Sequence, residues 1–229
     1  MSRPVCAIVG IGPQNGEAFA RKFSEEGYAV ALMSRSTDLS AKLAAELGDA
    51  KAFVCDAADP ASLQEAFGEV HEHLGPVDVL IYNAGSGSWK SVEEISAEEF
   101  EAGWRVNTLG ALVASQQVIP GMKKQGSGNI IFVGATASLR GMPKTAGFAP
   151  AKAAQRILAQ SMARHLGPEG IHVSVLIIDG QIDEPGGEAS KEGRKLDPRH
   201  IAAIAWQLTN QPPSARSFEV DLRPAQESW

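Results

Sequence analysis

The chain is poor in the features that mark several large classes of protein. Its 229 residues include two cysteines, Cys6 and Cys55, each inside an apolar run ("VCAIVG", "KAFVC"). A pair so placed reads as reduced core thiols of a cytoplasmic protein, and neither a disulfide framework nor a cysteine metal site is expected. Histidine offers no ligand set either. His71 and His73 are separated by one residue, so they do not share a helix face, and no metal is expected. Basic residues are outnumbered, with 21 Lys and Arg against 27 Asp and Glu and a net charge of −6. That balance argues against nucleic acid or an anionic membrane as a partner. No run approaches the ~18 continuous apolar residues that would span a bilayer. The opening "MSRPVCAIVG" enters an apolar run at once, so no signal peptide is expected there. Tyrosine is scarce, with Tyr28 and Tyr82 alone.

What is present is a regular alternation. Short apolar or β-branched runs fall at residues 5–10, 28–33, 52–55, 77–82, 129–133, 171–178 and 217–223, with helical patterns between them. Asp59-Pro60 and Asp197-Pro198 each set a capping acceptor before a proline at the first helical position. Ser96 and Glu99 in "SAEEF" form a capping-box pair. Gly27, Gly48, Gly75 and Gly167 stand where left-handed residues are expected to end helices. Strands joined in this way predict a doubly wound, mostly parallel, seven-stranded α/β sheet with helices on both faces. One domain over residues 1–229 is of ordinary size for such a fold. The polar, glycine-containing stretch at 183–197 reads either as a solvated loop or as a substrate lid.

The first strand runs into "GIGPQNGEAFARKF", a glycine-rich turn opening a helix. Gly10, Gly12 and Gly16, with Gln14 and Asn15 between them, place backbone N–H groups and a helix N-terminus where a pyrophosphate can sit. The second strand ends in Ser34, Arg35 and Ser36. A guanidinium flanked by hydroxyls suits a 2′-phosphate better than a ribose diol, so NADP(H) is favoured over NAD(H). Asp56, after the third strand, is positioned either to accept from an adenine amino group or to cap the following turn.

Four landmarks then fall in order: the turn at 10–16, "YNAG" at 82–85, "VNTLG" at 106–110, and Lys152 in "FAPAK". On these the chain resembles the short-chain dehydrogenase/reductase family over nearly its whole length, from residue 5 to about 222. The resemblance implies a Rossmann-type fold and an oxidoreductase of small carbonyls or alcohols. It implies that Asn83, Ala84 and Gly85 steady the sheet beside the cofactor. It implies that Asn107 helps hold a water and the active-site lysine, and that Lys152 is that lysine. Gly180 and Ile182, after the sixth strand, then lie against the cofactor. A homodimer or homotetramer is implied as well.

The departures concern chemistry. The family's Tyr-x-x-x-Lys is Phe148-Ala-Pro-Ala-Lys152 here, and the usual serine falls on Ala135, leaving Thr136 and Ser138 as the nearest hydroxyls. The usual Pro-Gly reads Asp179-Gly180, and the threonine that follows maps to Asp183 or Glu184. Phe148 has no proton to give, so proton delivery falls to Lys152 with Asn107, a water and Thr136, or to a carboxyl of Asp179 or Asp183 raised by burial. Asp179 also reads as a simple turn residue before Gly180. The remaining reading is an NADP(H)-binding pseudoenzyme without turnover.

Overall fold

The computed structural model describes residues 3–227. Seven strands form one sheet: β1 (Val5–Val9), β2 (Ala29–Ser34), β3 (Ala50–Val54), β4 (Val79–Tyr82), β5 (Gly128–Ala135), β6 (Ile171–Ile178) and β7 (Glu219–Leu222). Their order is β3-β2-β1-β4-β5-β6-β7, and every neighbouring pair is parallel. The expected sheet is thus present, and fully rather than mostly parallel.

The helices are α1 (Asn15–Glu25), α2 (Asp38–Leu47), α3 (Pro60–Leu74), α4 (Ala97–Trp104), α5 (Gly110–Gln125), α6 (Phe148–Leu166), α7 (Glu188–Lys191) and α8 (Pro198–Thr209). Their starts have the local causes expected. Asp59 accepts from Ala61 N at 3.0 Å, Asp197 accepts from Arg199 N at 2.9 Å, and Ser96 and Glu99 close a reciprocal box. Gly27, Gly48 and Gly75 take positive φ as predicted. Gly167 does not: its φ is −54°, and a short 3-10 turn carries the chain on to Gly170, whose φ of +85° makes the reversal. Pro168, at the second position of that turn, fits its φ and so defers the stop.

Two apolar layers flank the sheet. One gathers α3, α5 and α6 around Leu80, Tyr82, Phe132 and Ile177; the other gathers α1 and α8 around Ile8, Phe19, Leu32 and Ile81. Each fully buried large aliphatic contributes about 1.5–3 kcal/mol. Strands β1, β4 and β6 are buried throughout, whereas edge strand β3 is not, with Val54 64% exposed. Cys6 and Cys55 are buried free thiols, as expected.

Helix α5 meets the sheet at Gly110, where an added Cβ would collide with the carbonyl oxygen of Ala57 and the hydroxyl of Tyr82. That hydroxyl donates to Val106 O at 2.5 Å, so it has little room to move. Gly110→Ala is therefore expected to lower stability by about 1–3 kcal/mol, as overpacking does. Gly68, inside α3 with no atom near its Cβ position, is the contrast. Gly68→Ala is expected to raise stability by about 0.5–1 kcal/mol. Urea unfolding midpoints at constant slope give both signs.

Candidate active site

The winding of the sheet reverses between β1 and β4, and the loops leaving their carboxyl ends part there to open a cleft. The backbone locks the cleft floor. Asn83 N and Ala84 N both donate to Val9 O, at 2.9 and 2.8 Å, and Asn83 Nδ2 donates to Gly10 O at 2.7 Å. Gly10 has φ +100°, and a Cβ there would lie 2.5 Å from Ala84 N, so the crossing requires glycine. At Gly16 a Cβ would stand 2.7 Å from Gly10 O, which lets α1 begin directly against the turn. Gln14 offers α1 no side-chain cap, leaving the helix N-terminus open to an anion.

One half of the cleft is a cavity of about 370 Å³ lined by Gly10, Gly12, Ser34, Arg35, Asp56, Asn83, Ala84 and Gly85 among others. Arg35 is exposed there. Ser34 donates its hydroxyl to Ser36 O at 2.7 Å, shaping the turn that presents the guanidinium. Asp56 accepts from Ala58 N at 2.9 Å, so it caps the turn while also facing the cavity. Gln14 lines neither half. Its amide donates to Ile182 O and Asp183 O, at 3.0 and 3.3 Å, bridging the glycine turn to the segment after β6.

The other half, about 490 Å³, is lined by Asn15, Asn83, Thr136, Phe148, Lys152, Gly180 and Ile182, with Trp89, Arg140 and Met142 at its rim. Phe148 opens α6, and Lys152 follows one turn later on the same face. The Phe148 ring lies 5.7 Å from that of Trp89, which therefore stands at the mouth. Tyr82, fully buried and bonded to Val106 O, supplies no phenol to this space.

Lys152 is 4% exposed. Its ammonium donates to Val133 O at 2.8 Å and to Gln155 Oε1 at 3.2 Å, and Gln155 Nε2 donates to Asn107 O at 2.8 Å. Desolvation lowers the ammonium pKa to about 8. An ammonium has three donors, so one remains for a ligand. Asn107 lies in a π-helical turn, Arg105–Leu109, and its Nδ2 donates to Ser86 O and Gly103 O. Its Oδ1 is buried without a protein partner, as is Oδ1 of Asn15. The space at Gly85 faces Asn107 Oδ1 at 3.5 Å and Lys152 Nζ at 3.7 Å. Asn107 itself does not line the cavity.

Thr136 reaches the cavity, but its hydroxyl donates to Asp179 Oδ1. Asp179 is no simple turn residue: it is 2% exposed, with Oδ2 at 2.6 Å from Arg223 Nη2 and 3.5 Å from Arg140 Nη2. Asp183 fails as a raised acid. The Ser190 N–H donates to it at 2.9 Å and holds its pKa below the usual carboxylate value. Ser138 accepts from Ala135 N at 3.1 Å and is buried outside the cavity lining.

Three contributors were not legible beforehand: Gln155, Arg140 and Arg223. Gln155 had one available signal, a glutamine at Lys152+3 in an alanine-rich helix. The other two meet Asp179 only through tertiary structure. Among the described residues, no group of three or more His, Cys, Asp or Glu is placed to hold a metal, and no helix is long and apolar enough to cross a membrane.

A family model described as short chain dehydrogenase matches residues 5–187. An uncharacterized oxidoreductase of Staphylococcus epidermidis is 28% identical over 224 residues, covering 96% of each chain. Among solved structures, a short-chain dehydrogenase from Rhodopseudomonas palustris is 33% identical with a TM-score of 0.85, covering 96% of this chain and 98% of its own. An alcohol dehydrogenase from Thermococcus sibiricus, complexed with 5-hydroxy-NADP, is 29% identical with a TM-score of 0.88, covering 99% of both.

The buried ammonium makes stability depend on pH. Below about 8 both folded and unfolded chains hold the Lys152 proton, and the desolvation penalty is complete. Between about 8 and the ordinary value of 10.5 the unfolded chain alone keeps it, so stability rises with pH. Relative to Lys152→Met, the wild type is expected to gain on the order of 3 kcal/mol across that window. Urea unfolding of both proteins at matched pH values checks it; a flat difference contradicts it.

Proposed function

The chain belongs to the short-chain dehydrogenase/reductase family, and from that premise we propose that it is an NADP(H)-dependent oxidoreductase of a small carbonyl or alcohol with altered proton delivery. One observation carries this reading: Asn83 lines both cavities, which together make a continuous cleft from the exposed Arg35 to Lys152 behind Phe148. The residues fit a dinucleotide. An uncapped helix N-terminus, a floor that admits only glycine at position 10, and two unpartnered buried oxygens face the cleft or adjoin it. Arg35 would hold the 2′-phosphate, Asn83–Gly85 the middle of the cofactor, and Lys152 the nicotinamide ribose. 5-hydroxy-NADP in a solved structure of 29% identity supports the choice.

When bound, the nicotinamide supplies or accepts the hydride. This chain's own residues must manage the proton. Lys152, with a pKa near 8 and one free N–H, holds a proton at Nζ at neutral pH and can release it to an oxygen on the cavity side. The buried Val133 and Asn107 carbonyls, the second through Gln155, fix where that nitrogen sits. Thr136, its hydroxyl proton directed to Asp179, offers oxygen lone pairs to the cavity.

Residues 183–197 act as the substrate lid in this reading. Asp197 anchors the segment by accepting from Gly186 N at 3.0 Å, its pKa lowered to about 2 chiefly by Arg199. We extend the proposal to a cytoplasmic homodimer or homotetramer. A second reading, a cofactor-binding module without turnover, is favoured by Phe148 alone.

Carbonyls and alcohols followed at the nicotinamide absorbance separate the two. Turnover abolished in Lys152→Ala supports the enzyme; tight NADP binding with no turnover on any substrate supports the module. In an active protein, Phe148→Tyr is expected to raise carbonyl reduction by about 10²–10⁴, the usual worth of a positioned acid. Arg35→Ala is expected to weaken NADP binding by about 10- to 100-fold and leave NAD nearly unchanged. Equal loss for both cofactors would remove the phosphate assignment.

A further inference from the structure

We propose that the cavity in front of Phe148 takes a substrate bearing a carboxylate, and that Arg140 is its anchor. The inference rests on the oxidoreductase reading of the same site and names its substrate class. The chain carries more acids than bases, yet the residues lining this cavity include two cations, Arg140 and Lys152, and no Asp or Glu. Lys152 faces inward, with two of its three donors engaged by Val133 and Gln155. Arg140 stands at the open end, its side chain 49% exposed.

Its protein partner does not exhaust it. The nearest carboxylate is Asp179, whose Oδ1 receives the Thr136 hydroxyl and whose Oδ2 lies 2.6 Å from Arg223. Arg140 reaches the same oxygen only at 3.5 Å. Arg223 also pairs with Asp221 at 2.9 Å, so the cluster is balanced overall. A ligand carboxylate can take the planar fork of Arg140 while Asp179 keeps Arg223 and Thr136. No buried charge is left alone by that exchange. The rest of the lining defines the body of the ligand. Trp89 is 68% and Met142 60% exposed, and Phe148 lies beside Trp89, so an apolar chain or ring would gain contact there.

The test uses matched pairs: phenylglyoxylate and levulinate against their methyl esters. Each is titrated calorimetrically into the protein with and without NADP+, so that binding is read apart from turnover. The acids are expected to bind about 10- to 100-fold more tightly than the esters, as a charge-assisted contact warrants. Arg140→Gln is expected to erase that gap and Arg140→Lys to restore part of it. Esters that bind as tightly as the acids, or an acid preference untouched in Arg140→Gln, overturn the proposal and leave Arg140 as a partner of Asp179 only. NADPH consumption is followed in parallel. Acid binding that depends on Arg140 without turnover of any member refutes the oxidoreductase reading and keeps the anchor. Turnover with esters at or above acids does the reverse.

Discussion

A single nearly buried ammonium in the wall of the cleft governs its geometry. Lys152 comes from α6, yet its acceptors are a β5 carbonyl and, through Gln155, the carbonyl of Asn107 in the π-helical turn. Three elements are thereby joined by one charge. The arrangement is intelligible only if all three hold position, because an ammonium buried without acceptors costs several kcal/mol. The π turn contributes directly. Asn107 lies in that turn, and its carbonyl accepts from Gln155 Nε2 at 2.8 Å. The neutral amide of Gln155 presents an acceptor to the cation and a donor to the carbonyl at once, which no single-function side chain does.

That tether does not depend on a hydroxyl at position 148. The Phe148 ring covers Gly87 and packs near Trp89, so it forms one wall of the cavity by packing alone. Phe148 offers no proton, and both threonine hydroxyls of the lining are engaged, Thr136 donating to Asp179 and Thr145 to Met142 O at 3.0 Å. The shape of this half of the cleft comes from apolar packing and glycine, and in the proposed reading proton delivery falls to Lys152.

Much of this was legible in the sequence because its causes are local. Proline after aspartate starts a helix whatever lies across the sheet, and both Asp59 and Asp197 cap as expected. Glycine at position 10 follows from a backbone crossing that a βα turn makes near every such strand, and the order of landmarks carried Asn83 and Lys152 with it. What resisted reading depends on distant partners. Asp179 reads locally as a turn residue because its partners are remote along the chain: Arg140 approaches when β6 pairs with β5, and Arg223 when β6 pairs with β7. Gly167 misled for a nearer reason: Pro168 favours helical φ and moved the reversal to Gly170. Thr136 lines the cavity, and the direction of its proton is set by Asp179, a partner that local pattern does not reveal.

Charge placement ties these threads together. Elsewhere several surface bases sit beside acids, Arg21 with Glu17 and Glu46, Lys90 with Glu99, Lys123 with Glu169, Arg156 with Glu219, while others such as Lys42 and Lys124 form no ion pair among the described residues. Such exposed pairs add little stability and leave little local field. Arg35 stands exposed at one end of the cleft with no carboxylate in ion-pair range among the described residues, Lys152 lies buried near the middle, and Arg140 holds the other rim through a long contact. The Arg35 half also holds Asp56, whereas the half that contains Lys152 and Arg140 has no carboxylate in its lining, and that local imbalance in a chain with a net charge of −6 is what the proposed carboxylate anchor would use.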